Sequence, residues 1–123
     1  MDRGSRPTFD LVTKTVRFWE EVMSGAVKPT NQWVSAREGK AYTRYSAAMD
    51  RIDIANITVK KSLRGKGLLK AMIAAAMNSG VRQVRLESIQ NVRLEESAKR
   101  WRFPGWVTTW EGVICPSAVW VRK

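Results

Sequence analysis

Residues Ile52–Met77 read IDIANITVKKSLRGKGLLKAMIAAAM. The stretch begins with β-type residues, Ile54, Asn56 and Thr58 alternating against Ala55, Ile57 and Val59. Alternation of this kind predicts a half-buried strand. A basic loop with two glycines follows, Lys60-Lys61-Ser62-Leu63-Arg64-Gly65-Lys66-Gly67. Leu68–Met77 is apolar and rich in alanine, which predicts a helix. Strand, glycine loop and helix start together make an anion site. The first N–H groups of a helix lack intrahelical acceptors, and the helix dipole favours negative charge beside them. Gly65 and Gly67 let the backbone turn and let a phosphate come close. Lys60, Lys61, Arg64, Lys66 and Lys70 add positive charge around the same point. A phosphorylated ligand is the expectation.

Composition narrows the possibilities. A chain of 123 residues with 44% hydrophobic residues suits one globular domain. We expect residues 1–8 to form a polar, flexible lead and residues 9–123 to form the domain. No apolar run approaches a membrane span, and the N-terminus lacks the apolar core of a signal peptide. Cys115 is the single cysteine, so there is no internal disulfide, and it is expected to be a small buried residue. With no histidine, a zinc site or a histidine-based nucleophile dyad is excluded. These features predict a cytoplasmic protein without a metal or a membrane anchor. The formal charge of +11 predicts attraction to polyanions: nucleic acid, an acidic protein or a phosphorylated ligand.

Periodicity gives the element order. Leu11, Val12, Val16, Trp19, Val22 and Met23 recur at helical steps, so Phe9–Met23 is a predicted amphipathic helix, capped by Thr8 or Asp10 and ended at Ser24-Gly25. After a loop at Pro29-Thr30-Asn31, Gln32–Arg37, Ala41–Met49 and Ile52–Val59 form a predicted antiparallel meander with short turns. Beyond the Leu68–Met77 helix lie a strand at Val81–Ile89, a charged helix at Asn91–Phe103, and a hairpin of Trp106–Glu111 with Val113–Arg122. The predicted class is α+β. A mostly antiparallel mixed sheet holds a central parallel β-α-β crossover around the glycine loop, with flanking helices. Trp106 and Trp110 should share one face of their strand, as core or as a base-stacking platform with Arg102 and Arg122.

The loop is not a P-loop, which needs G-x-x-x-x-G-K-[ST]. It is not a dinucleotide fingerprint either, because Lys70 stands where the third glycine of G-x-G-x-x-G belongs. Arg64-Gly65-Lys66-Gly67-Leu68-Leu69, after Ile57-Thr58-Val59, resembles the acetyl-coenzyme A loop of the GNAT (GCN5-related N-acetyltransferase) superfamily, Arg/Gln-x-x-Gly-x-Gly/Ala. Leu69 departs from that pattern, where Gly or Ala is usual. A second segment, Asn91 to Phe103, is similar to the family's Asn-x-x-Ala-x-x-Leu-Tyr-x-x-x-Gly-Phe, with Asn91 and Phe103 at the matching ends. Ala98 stands at the Tyr and Arg102 at the Gly. The resemblance covers about residues 32–122.

The resemblance implies acetyl-coenzyme A as cofactor and acetyl transfer to an amine, for so basic a chain on a macromolecule. It implies that Arg64, Gly65, Lys66, Gly67 and Leu68 hold the pyrophosphate. It places Ile57, Thr58 and Val59 along the pantetheine arm, with a backbone donor for the thioester carbonyl near Thr58 or Val59, and has Asn91 hydrogen-bond that arm. Glu87 is the first candidate for the base that takes the proton from the ammonium acceptor and Asp53 the second. A salt-bridge role for Glu87, with Arg85 or Lys99, stands beside it. Alanine at position 98 cannot protonate a departing thiolate, though a thiolate is a tolerable leaving group unaided. The departures at Leu69 and Ala98 support a competing reading: a noncatalytic GNAT-like protein that binds an acidic protein or nucleic acid through its basic surface, as would suit a bacteriophage or mobile element.

Overall fold

The structure is a computed structural model that describes residues 9–25, 30–89 and 91–123. The expected lead at 1–8, the Thr8 cap and Pro29 lie outside the described residues. Six strands and three helices follow in the order α1 (Asp10–Met23), β1 (Asn31–Ala36), β2 (Gly39–Ser46), β3 (Arg51–Val59), α2 (Leu68–Met77), β4 (Gln83–Leu86), α3 (Val92–Arg100), β5 (Trp106–Glu111) and β6 (Ser117–Arg122). A short 3-10 turn, Lys61–Leu63, sits between β3 and α2. The strands form one sheet in the order β1-β2-β3-β4-β6-β5. β3 and β4 pair in parallel and the other neighbours are antiparallel. The α+β class and the central crossover are as the sequence predicts.

Register shows which side chains share a face, since paired residues point the same way and neighbours along a strand alternate. Thr43, Ile54, Leu86, Ala118 and Trp110 form one cross-strand row. All three helices pack on this face. On α1, the Trp19 indole donates to Thr43 Oγ1 at 3.0 Å, and the Thr43 hydroxyl donates to the Asp53 carbonyl at 2.6 Å. At the far end of α2, the Arg122 guanidinium donates to the carbonyls of Met77 (3.1 Å) and Val81 (3.0 Å). After α3, Trp101 stacks on the buried Trp120 with ring centres 6.2 Å apart, and Phe103 meets it edge-on at 6.0 Å. The opposite face carries Trp33, Tyr42, Arg44, Asp53, Arg85, Glu87 and Thr109, and no helix covers it among the described residues.

Each helix begins differently. Phe9 is the N-cap residue of α1 and gives no side-chain cap; Asp10 is the first helical residue and not a cap. The Glu38 carboxylate, from the β1–β2 turn, accepts from the backbone N–H of Asp10 (2.7 Å) and of Leu11 (3.0 Å). A carboxylate at a helix N-terminus satisfies orphan donors and meets the dipole. Asn91 caps α3, its Oδ1 accepting from Arg93 N–H (2.8 Å) and Leu94 N–H (3.2 Å). α2 has no such ligand. Its N-cap is Gly67 at φ 84°, with no side-chain cap bond and no acid in the first turn.

Two further expectations change. Strict alternation would put Ile54 with Asn56 and Thr58. A register shift pairs Thr43 with Ile54 but Tyr42 with Asn56, leaving Ala55 as the extra residue of a bulge. Ile54, Ile57 and Val59 therefore share the core face, and Ile57 and Val59 pack against the core. Cys115 is exposed rather than buried, at φ 51° in the β5–β6 turn, because β6 starts only at Ser117 and the turn is longer than a two-residue hairpin.

Candidate functional site

The parallel pair β3/β4 is short, and its end makes the site. Pairing stops at Ile54 with Leu86, and one more bond, Glu87 N–H to the Ile54 carbonyl at 3.0 Å, closes it. Beyond that point each strand follows its other neighbour. β3 runs on to Val59 along β2. The chain after β4 turns toward β6: Ser88, at φ 50°, donates its N–H to Ser117 Oγ (2.9 Å), and Ile89 donates to the Pro116 carbonyl (2.8 Å). The sheet therefore splits. A cleft of about 260 Å³ opens in the split, lined by Ala55, Asn56, Ile57, Leu86, Glu87, Ser88, Ile89, Asn91 and Leu94.

A second cleft of about 510 Å³ lies between the glycine loop and α3. Val59, Gly65, Gly67, Leu68, Leu69, Lys70, Asn91, Leu94, Ser97 and Trp101 are among its walls. Asn91 and Leu94 line both clefts, so the two adjoin there and together form what is termed the channel. One member borders the bare N-terminus of α2 and the other is the split. The first bond inside α2 is Ala71 N–H to the Gly67 carbonyl (3.0 Å), which leaves the N–H groups of Leu68, Leu69 and Lys70 to point forward. Gly65 (φ 76°) and Gly67 are in the left-handed region, and a Cβ at either would meet nothing within 4 Å, so the surface there is open backbone. Lys60, Lys61, Lys66 and Lys70 are exposed, and Arg64 folds back so that its Nε donates to the Val59 carbonyl (3.1 Å).

Beyond Ile54, β3 pairs with no strand on the side of the split, although its Val59 carbonyl accepts from Arg64. Lys60 N–H bonds to the Glu38 carbonyl (2.8 Å), on the β2 side. By alternation the backbone groups of Thr58 face β2 as well, while those of Ile57 and Val59 face the opening. Thr58 borders a different groove, beside Lys40 and Lys60. Asn91 spends its Oδ1 on α3, and its amide nitrogen is a donor at the junction of the two clefts.

The structure separates the two candidate acids. Glu87 lines the split and is paired with Arg44 and, at 3.8 Å, with Arg85. Lys99 is not its partner; it pairs with Glu95 at 3.0 Å. Asp53 is 2% exposed, lines neither cleft, and is held by Arg44 (3.1 Å) and Arg51 (2.7 Å). It is a structural anion whose burial needs those cations. Arg44 bridges Asp53 and Glu87 and so fixes the Glu87 carboxylate at the wall of the split. No sequence motif points to Arg44; only the pairing of β2 with β3 brings it there. Ser97, Leu94 and Trp101 also line the channel, and no motif assigns them a role. Ala98 is 1% exposed and faces the core, beside the cleft-lining Ser97. Trp106 and Trp110 do share the helix-bearing face, covered by Arg122 (4.5 Å) and Lys99 (5.5 Å), and are not a free stacking platform.

No family model matches the sequence, and no curated protein matches it. Solved structures do. An acetyltransferase from Thermus thermophilus aligns over 92% of this chain and 90% of its own, at 10% identity and a TM-score of 0.52. A presumed acetyltransferase from Agrobacterium tumefaciens aligns over 100% of this chain and 98% of its own, at 14% identity and a TM-score of 0.52. Nourseothricin acetyltransferase aligns over 68% of this chain at 18% identity and a TM-score of 0.44; there the chain spans 55% of the other protein's length. The first two cover nearly whole chains on both sides, and that likeness shows that this chain shares the fold of these two proteins.

Proposed function

We propose that the protein binds acetyl-coenzyme A and transfers its acetyl group to an amine of a macromolecule. The observation that carries this reading is the pair of adjoining clefts that reaches from the uncapped N-terminus of α2 to the split between β3 and β4. The residues fit the group. The N–H groups of Leu68, Leu69 and Lys70, with Arg64, Gly65, Lys66 and Gly67 around them, are donors and charges for a diphosphate. The backbone groups of Ile57 and the Val59 N–H on the edge of β3 suit the amides of an extended arm, and Asn91 lines the same channel. Leu69 keeps its half-buried side chain in the wall beside these donors, so it narrows the entrance without blocking it.

When bound, the thioester supplies an activated acetyl group. The chain's part is to hold it beside the acceptor and to manage one proton. Confinement in the split converts a two-body encounter into a positioned one. Backbone N–H groups on the Ile57–Val59 edge are the donors for a carbonyl oxygen there. Glu87, at the wall of the split, is the acceptor for the proton of the ammonium, directly or through water.

The test is calorimetric titration with acetyl-coenzyme A at moderate salt, with ATP as a polyanion control, followed by thiol release with amine-bearing peptides and polyamines. Micromolar binding that ATP does not reproduce supports the cofactor. Equal binding of both ligands, or none, removes the enzyme and leaves the fold.

A further inference from the structure

The sheet face without helices carries an unusual corner where β1 and β2 meet the end of β3. Trp33 there is 46% exposed. It packs on Tyr42, directly across the strand pair, with ring centres 5.3 Å apart and a tilt of 55°. Lys40 Nζ stands 4.8 Å from the Trp33 ring centre. The next row of the sheet, Ser35, Lys40 and Thr58, opens a groove of about 480 Å³ completed by Lys60, Lys61 and Arg64. No carboxylate is among its described lining residues. The nearby acids are already engaged: Glu38 is buried against α1, Asp10 pairs with Arg37 at 3.1 Å, and Asp53 and Glu87 are held by Arg44. The positive charge of this corner is uncompensated by the protein itself.

We propose that the Trp33–Tyr42 pair and the adjoining basic groove bind single-stranded nucleic acid. Cations alone would suit any polyanion. The aromatic pair narrows the choice, because bases stack on exposed rings while phosphates follow a positive groove. A duplex keeps its base faces hidden and offers such rings nothing to stack on. Lys40, long and flexible, covers Trp33 in the free protein and can turn to a phosphate when a base takes its place. Ser35 and Asn56, exposed beside the pair, are hydrogen-bonding groups within reach of base edges. This surface adjoins the clefts proposed for coenzyme A, sharing Asn56 with the split, Val59 with the second cleft and Arg64 with the loop, and the inference stands whether or not that cofactor binds.

The test uses the full chain without coenzyme A. Fluorescence anisotropy follows a labelled 12-nucleotide single strand, the same sequence as a duplex, and a polyglutamate peptide of matching charge. The single strand should bind about tenfold tighter than either control. Its affinity should fall with salt at a logarithmic slope near −3, as expected if Lys40, Lys60, Lys61 and Arg64 each neutralise a phosphate at about −0.7 apiece. Trp33→Ala should weaken binding by roughly tenfold. Lys61→Glu should weaken it and flatten the slope. Arg82→Glu, exposed at the opposite end of the sheet, should change nothing. Trp33 and Lys61 lie on the surface, and unchanged circular dichroism will show that the variants fold. Equal affinity for the single strand and either control overturns the proposal. So does wild-type binding by Trp33→Ala, or no binding at all. Titrating the same variants with acetyl-coenzyme A reads the other cleft, so failure of one reading is distinguishable from failure of the other.

Discussion

Removing the Glu38 carboxylate should loosen α1 from the sheet, and the loss should depend on pH. Glu38 is 3% exposed, so water cannot simply replace its carboxylate. It accepts from the N–H groups of Asp10 and Leu11 and meets the positive end of α1. Loss of a helix cap costs up to about 2 kcal/mol, and a hydrogen bond to a charged group contributes about 1.5–3 kcal/mol. Allowing for partial rehydration of Asp10, which is exposed, we expect Glu38→Ala to cost about 2–3 kcal/mol. Glu38→Gln keeps an acceptor but loses the charge, and should cost about 1 kcal/mol. Burial pushes the Glu38 carboxyl up, but the donors at Asp10 and Leu11, its own N–H and the Arg37 guanidinium outweigh burial and hold it below its ordinary 4.5. A carboxyl lowered in the folded state stabilises fully above its unfolded value, and the contribution disappears as pH falls through the folded value. The gap between wild type and Glu38→Gln should therefore be full at pH 7 and shrink steadily below about pH 4.5. Urea unfolding followed by tryptophan fluorescence at pH 7 and pH 3 measures both. An equal deficit at the two pH values, or a Glu38→Ala cost under about 0.5 kcal/mol, would refute the clamp.

Four further outcomes are expected. Gly67→Glu should abolish acetyl-coenzyme A binding by setting a carboxylate before the α2 donors, whereas Gly67→Asn, which tolerates a left-handed backbone, should retain most of it; equal affinity of Gly67→Glu and wild type by calorimetry would show that the loop is not the binding site. Gly39→Ala should destabilise by more than about 2 kcal/mol, since a Cβ there would lie 1.9 Å from the Thr58 carbonyl oxygen and force β2 away from β3; a urea midpoint at the wild-type value would contradict that register. Glu87→Gln should lower kcat by at least about tenfold while leaving coenzyme affinity in place, and unchanged kcat would move the base elsewhere. Cys115 should react stoichiometrically with a disulfide reagent in the native protein, and reaction only after adding denaturant would mean that the thiol is covered.

The element order could be read from the sequence because each element carries its own signal. The glycine loop, the alanine-rich α2 and the asparagine that opens α3 are local features, and they sit where the sequence puts them. Strand ends were less readable. The predicted strands Ala41–Met49 and Val81–Ile89 are Gly39–Ser46 and Gln83–Leu86, because a strand ends where its partner leaves, and apolar residues such as Val81 and Ile89 remain buried outside it. The bulge at Ala55 has no signature in one strand alone; it exists only between β2 and β3. The same holds for the acids. Asp53 and Glu87 look alike along the chain, but Arg44, across from it on β2, and Arg51, two residues before it on β3, hold Asp53 buried, while the end of β4 brings Glu87 to the split. Ala98 follows the opposite logic. Its departure from the family's tyrosine suggests a gap in the site, but the side chain at that position turns into the core.

The short contact between β3 and β4 also governs assembly. The meander β1-β2-β3 and the hairpin β5-β6 are local in sequence and can form early, whereas Arg51 reaches Gln83 only after the loop and α2 have closed over the core. The split in the sheet does not exist until that late join is made. Any ligand lodged there recognises the finished fold and not its precursors, so its binding energy adds to conformational stability by mass action. At a hundred times its dissociation constant the gain is about 2.7 kcal/mol. Cells that supply the ligand would thus lengthen the protein's life, and cells that lack it would leave the protein more open to proteolysis.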